Sequence, residues 1–123
     1  MAAGRTVGYV PGAFDMFHIG HLNILRRARE RCDYLIAGVV TDEVALRAKN
    51  RLPAVPHDER LEIVRSISFV DEAVTDWSTD KVEMWRQLRF DVLFKGDDWK
   101  GTPKGDRLEA SLAAVGVQVV YLP

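Results

Sequence analysis

His18 and His21 stand where an apolar run ends and an amphipathic one begins, with Ile19 and Gly20 between them. Before them, Val7-Gly8-Tyr9-Val10 reads as a first strand; after them, Leu22, Ile24, Leu25 and Ala28 read as the buried side of a helix. Three positions apart on a helical turn, the two imidazoles share a face. A helix N-terminus presents unpaired N–H groups and the positive end of the macrodipole, which suit a phosphate. The imidazoles add hydrogen-bond donors without a large fixed charge. Gly20 leaves space for a ligand to approach the backbone. These residues describe a phosphate-handling turn at the start of an α/β domain, in which Asp15 is either a site residue or a helix cap.

A second polar turn, Gly96-Asp97-Asp98-Trp99, follows the apolar run Phe90-Asp91-Val92-Leu93-Phe94-Lys95. It reads either as an ordinary turn, with Trp99 covering the sheet end, or as a ligand contact. A third feature is the stretch 47–56, which carries Arg47, Lys49 and Arg51 with no acid and two prolines. It reads as a loop, and charge clustering alone favours a solvated loop over a flap on polyphosphate. Arg60, in the first turn of the next helix, reaches either a ligand or a surface partner such as Glu59.

The elements that must hold these features alternate along the chain. Strands are expected at about 6–12, 34–40, 69–74, 90–95 and 117–121, and helices at about 19–31, from 41, at 56–68, from 78 or 79 to 88, and at 105–115. Trp77 and Trp85 are expected to pack. The near-continuous apolar run 34–40 is what a strand covered on both faces requires, which favours a parallel sheet. The expected fold is a single Rossmann-like α/β domain over 1–123, with five parallel strands ordered 3-2-1-4-5, right-handed crossovers and helices on both faces. Ligands bind such sheets beyond the carboxyl ends of the strands, where strand order reverses. That order brings the histidine turn and the Gly96 turn into one crevice.

The 123 residues suit one domain, and 47% hydrophobic with 28% charged residues is an ordinary globular balance. A net charge of -1 argues against a general electrostatic grip on nucleic acid or an anionic membrane, and no run has membrane-spanning length. The single cysteine, Cys32, rules out an internal disulfide and fits a reducing compartment, so a cytoplasmic protein is expected. Several sites are excluded: no G-x-G-x-x-G follows the first strand, the P-loop spacing from Gly96 to Gly101 continues as Thr102-Pro103, and no serine sits in a nucleophile elbow. His57 and Cys32 are the other nitrogen and sulfur ligands and fall in no metal motif, so no protein-bound metal is expected. What remains is phosphate binding by a helix start, two imidazoles and several cations, which suits phosphoryl or nucleotidyl transfer.

Gly12-Ala13-Phe14-Asp15 with His18-Ile19-Gly20-His21 resembles the signature of the H-x-G-H nucleotidyltransferases. Gly96-Asp97-Asp98-Trp99-Lys100-Gly101, Thr41-Asp42-Glu43 after strand two, and Asp58-Glu59-Arg60 before Val70-Asp71-Glu72 are similar to the cytidylyltransferases, most closely those acting on glycerol 3-phosphate. The resemblance spans essentially the whole chain. It implies transfer of CMP from CTP to a small alcohol phosphate, giving a CDP-alcohol and pyrophosphate by in-line attack. It further implies that His18 and His21 bind the triphosphate and stabilise transition-state charge. The backbone at Ala13 and Phe14, with Gly20 and Gly96, would line the nucleotide site. Lys49 would be the phosphate-gripping lysine of a mobile loop, with Arg47 a second candidate. Arg60 would bind the substrate phosphate, and Asp15 and Asp97 would lie near substrate or Mg²⁺, which enters through the nucleotide phosphates. A homodimer is implied as well. The resemblance reverses the solvated-loop reading of 47–56.

The same resemblance leads one to expect an R-T-x-G-I-S-T-T segment after the fifth strand, where the sequence reads Val120-Tyr121-Leu122-Pro123. The expectation is a domain without that C-terminal phosphate-binding segment, a tail having been left out. Two other readings stay open: a related transferase using ATP or a sugar phosphate, and a weakly active nucleotide-binding module of a larger protein.

Overall fold

The computed structural model describes residues 5–123. Five strands, β1 (Val7–Gly12), β2 (Tyr34–Val40), β3 (Glu72–Asp76), β4 (Val92–Gly96) and β5 (Gln118–Leu122), pair in parallel in the order β3-β2-β1-β4-β5. Five α-helices connect them: α1 (Ile19–Arg29), α2 (Asp42–Lys49), α3 (His57–Arg65), α4 (Lys81–Leu88) and α5 (Pro103–Ala113). A 3₁₀ turn, Asp97–Trp99, follows β4 directly. Among the described residues no helix is long and apolar enough to cross a membrane.

Successive strand side chains point to opposite faces, and the sequence exploits this. Val10, Leu35, Ala37, Val92 and Phe94 enter one core, shared with Leu25 and Ala28 of α1 and Val64 of α3. Their neighbours Tyr9, Ile36 and Leu93 enter the other, with Met84 of α4 and Leu112 of α5. Every residue of β2 from Leu35 to Val40 is buried, as a doubly covered strand demands. At the carboxyl edge, Val40, Val44 and Ala45 form a small third cluster against Ala13.

Several element limits differ from the expected ones. The first helix ends at Arg29 rather than 31. Arg47, Ala48 and Lys49, expected in a loop, form the last turn of α2, which stops where Asn50 turns left-handed at φ 56. The third strand starts at Glu72 rather than 69, because the Val70 N–H bonds the Ile67 carbonyl in a turn and Phe69 packs under the sheet. The α4 cap is Asp80, not Ser78 or Thr79, since Ser78 is committed elsewhere. The last helix begins at Pro103, whose missing N–H is tolerated in a first turn, behind a Thr102 cap. Trp77, expected to pack, is 45% exposed.

Candidate active site

After β1 the chain makes a tight turn in which two non-glycine residues are left-handed, Phe14 at φ 53 and Met16 at φ 47. Such residues cost energy and persist only where the surroundings fix them. Here Phe14 is 5% exposed, anchored in the core. Asp15 accepts hydrogen bonds from the Ala54 and Val55 N–H groups, each at 2.9 Å, which staples the 50–56 segment to the turn. Those bonds hold its carboxyl below the usual range.

His18 is the N-cap of α1. Its Nδ1 accepts the Gly20 N–H at 3.0 Å, and the His21 Nδ1 accepts the His18 N–H at 3.2 Å, a reciprocal capping box built from imidazoles. The rings stack at 3.9 Å between centroids, and His21 also touches Phe14 and Phe17. With both Nδ1 atoms accepting, each neutral ring carries its proton on Nε2. Burial and the neighbouring His18 hold the His21 imidazole below its usual range. The turn therefore presents two neutral Nε2–H donors side by side.

These rings line a cavity of about 440 Å³ with Gly12, Phe14 and Gly96. A second cavity of about 450 Å³ adjoins it, lined by Lys81, Ser78, Trp99 and Lys104. Gly12, Ala13, Lys49, Lys95 and Asp98 line both, so the two spaces meet over the ends of β1 and β4. That is the switch point of the sheet, with β1 lying between β2 and β4.

The structure brings together Ala13, Phe14, Asp15, His18, His21, Lys49 and Gly96 around the histidine cavity. It corrects four expectations. Arg60 is 0% exposed and cannot meet a substrate phosphate. Its Nε donates to the Val55 carbonyl at 2.8 Å, Nη1 to the Ala13 and Val40 carbonyls at 2.7 and 2.9 Å, and Nη2 to Asp42 at 2.6 Å. It is a strut beneath the site. Gly20 lines neither cavity; a Cβ there would stand 2.8 Å from His18 Cε1, so the glycine makes room for the cap and not for a ligand. Asp97 is exposed and lines neither cavity, whereas Asp98 lines both. Asp15 borders the histidine cavity, but both its oxygens are taken by the 54–55 backbone, so it fastens the loop instead of capping α1.

Sequence reasoning missed Lys81, Lys95 and Lys104, which join Arg47 and Lys49 along the second cavity. Lys81 donates at 3.0 Å to both Asp76 and the Ser78 carbonyl. Asp76 is 0% exposed and also accepts from Ser78 and from the Tyr9 hydroxyl. Burial and that carboxylate hold the Tyr9 hydroxyl far above its usual range. Gly38 faces the Tyr9 hydroxyl so closely that no Cβ fits there. Lys95 Nζ stands 3.9 Å from the Trp99 ring centroid, and burial pushes it down to about 8. Its position at the carboxyl end of a predicted strand was the signal available for it.

The family model described as cytidylyltransferase-like matches residues 9–123. The chain belongs to the cytidylyltransferase-like family. Its relatives differ in substrate. The chain is 34% identical to an FAD synthase of Pyrococcus abyssi, over 100% of its own length and 84% of that protein. It is 35% identical to the glycerol-3-phosphate cytidylyltransferase of Bacillus subtilis, over 91% and 81%. An ethanolamine-phosphate cytidylyltransferase of Arabidopsis thaliana is 36% identical over 79% of this chain and 24% of that one. The same fold occurs in a lipopolysaccharide core biosynthesis protein of Thermoplasma volcanium, at TM-score 0.85 and 24% identity over 98% of both chains. A nucleotidyltransferase of this family thus has its signature histidines in the first cavity, beside the residues that the two cavities share.

Proposed function

We propose that the chain transfers CMP from CTP to a small alcohol phosphate, glycerol 3-phosphate being the first candidate, with release of pyrophosphate. The observation that carries this is the pair of Nε2–H donors set against Lys49 and Gly96 in one cavity, with a second, lysine-lined cavity opening beside it. The first holds the nucleotide phosphates and the second the acceptor.

The acceptor phosphate attacks the α-phosphorus in line, so no protein nucleophile is needed. As the bond to pyrophosphate breaks, charge grows on the phosphate oxygens, and His18 and His21 donate to them from fixed positions. Donors preorganised in this way are worth most in the transition state. The backbone of Ala13 and Phe14 walls the phosphate site, and Lys49, at the end of α2, adds a cation. Among the described residues no group of three or more His, Cys, Asp and Glu side chains is placed to hold a metal. Oxygen donors still fit Mg²⁺, since Asp98 lines both cavities and the nucleotide supplies the rest. Asp98 would be the residue to hold that Mg²⁺, whose chemistry would be to neutralise phosphate charge. The working unit we propose is a homodimer, to be checked by light scattering.

The test is pyrophosphate release with Mg²⁺, one nucleotide at a time and a panel of acceptor phosphates. Release with CTP and glycerol 3-phosphate is expected, and release with ATP alone overturns the nucleotide assignment. A second reading, adenylyl transfer to a bulkier phosphate such as a flavin phosphate, is favoured by the similarity to an FAD synthase along the whole chain. Turnover of ATP with that acceptor selects it.

A further inference from the structure

Lys95 has no part in the reaction as described, yet its setting is unlike that of the other cations. It lies one residue from the end of β4, and of the lysines and arginines only it and Lys49 line both cavities. Lys49 is exposed at a helix end, whereas Lys95 is half-buried. Lys81 spends its ammonium on Asp76 and the Ser78 carbonyl. The Lys95 ammonium has no hydrogen-bond partner or ion pair among the described residues; it rests over the Trp99 ring, 3.9 Å from the centroid. A ring face orients an ammonium but leaves its N–H donors unmade. Around it, Asp98 from the 3₁₀ turn attracts, while Lys49 of α2, Lys81 of α4 and Lys104 of α5 repel. A desolvated cation among like charges, aimed at the junction of two cavities, is stabilised by an anion arriving there.

We propose that Lys95 is a further catalytic residue, whose ammonium contacts both the α-phosphoryl group of the nucleotide and the acceptor phosphate that attacks it. This rests on the nucleotidyl-transfer reading. In the step, an acceptor phosphate oxygen forms a bond to the α-phosphorus while the bond from that phosphorus to the bridging oxygen breaks. The electron pair leaves with pyrophosphate. Two anions must approach each other, and a cation shared by both relieves their repulsion. Lys95 keeps its proton throughout, so the step balances without a base.

The test uses Lys95→Met, which keeps the length of the stem, and Lys95→Arg, which keeps the charge. Lys95→Met is expected to lower kcat by about 10²–10³ and to raise KM far less, while Lys95→Arg recovers part of the loss. Wild-type kcat/KM should fall as pH rises through about 8, where the ammonium loses its proton. That alkaline limb should be absent in both variants, since guanidinium stays charged. Near-normal kcat in Lys95→Met, or persistence of its alkaline limb, overturns the proposal. Calorimetry with inorganic triphosphate reads the contact without turnover: binding about tenfold weaker in Lys95→Met is expected, and equal affinity overturns it. If the wild type turns over no nucleotide, the transfer reading fails alone, and the triphosphate measurement still decides whether Lys95 meets phosphate. Melting of both variants at the wild-type temperature separates these effects from misfolding.

Discussion

The two cavities at the carboxyl edge of the sheet are built in opposite ways. The histidine cavity owes its two imidazole donors to ten consecutive residues, Gly12 to His21, held by local hydrogen bonds and two left-handed backbone positions. Those two donors are neutral and fixed. The lysine cavity draws Lys49, Lys81, Lys95 and Lys104 from four separate elements. Its donors are charged and sit on long stems, steadied by a buried carboxylate and an aromatic ring. The difference assigns work. Fixed neutral donors suit charge that grows at a defined place, and adjustable cations suit an acceptor that arrives already charged.

Arg60 supports both sides and its loss should have the largest effect. Arg60→Ala orphans three carbonyls and the Asp42 carboxylate, and should cost about 3–5 kcal/mol of stability in urea unfolding. Arg60→Lys should not restore it, because one ammonium cannot span four acceptors; full recovery would show the strut to be dispensable. Next, His18→Asn keeps a good N-cap residue but removes the Nε2–H, so the melting temperature should hold while kcat falls about 10²–10³. A normal kcat would move the fixed donor elsewhere. On the other side, Gly38→Ala drives a methyl into the Tyr9 hydroxyl and should cost about 1–3 kcal/mol. Its kinetic effect should fall on KM for the acceptor more than for the nucleotide; an equal effect on both would blur the division between cavities. Lys49→Ala should raise KM for a phosphate-bearing substrate about tenfold, and an unchanged profile would return that cation to plain solvation.

The smallest effect concerns the staple between the turn and the 50–56 segment. Asp15 has a lowered folded-state pKa, so its contribution is present above the ordinary carboxylate range near pH 4 and is lost as pH falls through the lower folded value. Limited proteolysis near Arg51 should therefore quicken at acid pH, and Asp15→Asn should reproduce this at pH 7. No change in cleavage would mean the loop is held by other contacts.

This contrast also explains what could be read from the sequence. Periodicity gave the strands and the two-sided sheet because burial on each face is written residue by residue, as in Leu35, Ile36 and Ala37. The histidine turn was legible for the same reason: its geometry is local. Lys81, Lys95 and Lys104 were not, since a lysine acquires meaning only when the fold brings it to a cavity. Arg60 was misjudged because position in a first turn says nothing about burial, and four acceptors from distant segments close over it. Asp97 and Asp98 are adjacent, chemically identical and both exposed, so only the 3₁₀ turn decides which one borders the cavities.

The imidazole capping box has one more consequence. Since the Gly20 and His18 N–H groups are already bound to ring nitrogens, they are not free to bind a phosphate. Each imidazole accepts on one side and donates on the other, so it relays the polarity of the helix start outward by the width of a ring. Hydrogen bonds in such a chain polarise one another, which sharpens the Nε2–H as a donor. In electrical terms, the positive pole of α1 has been moved off the backbone and onto two side chains that a substrate can touch.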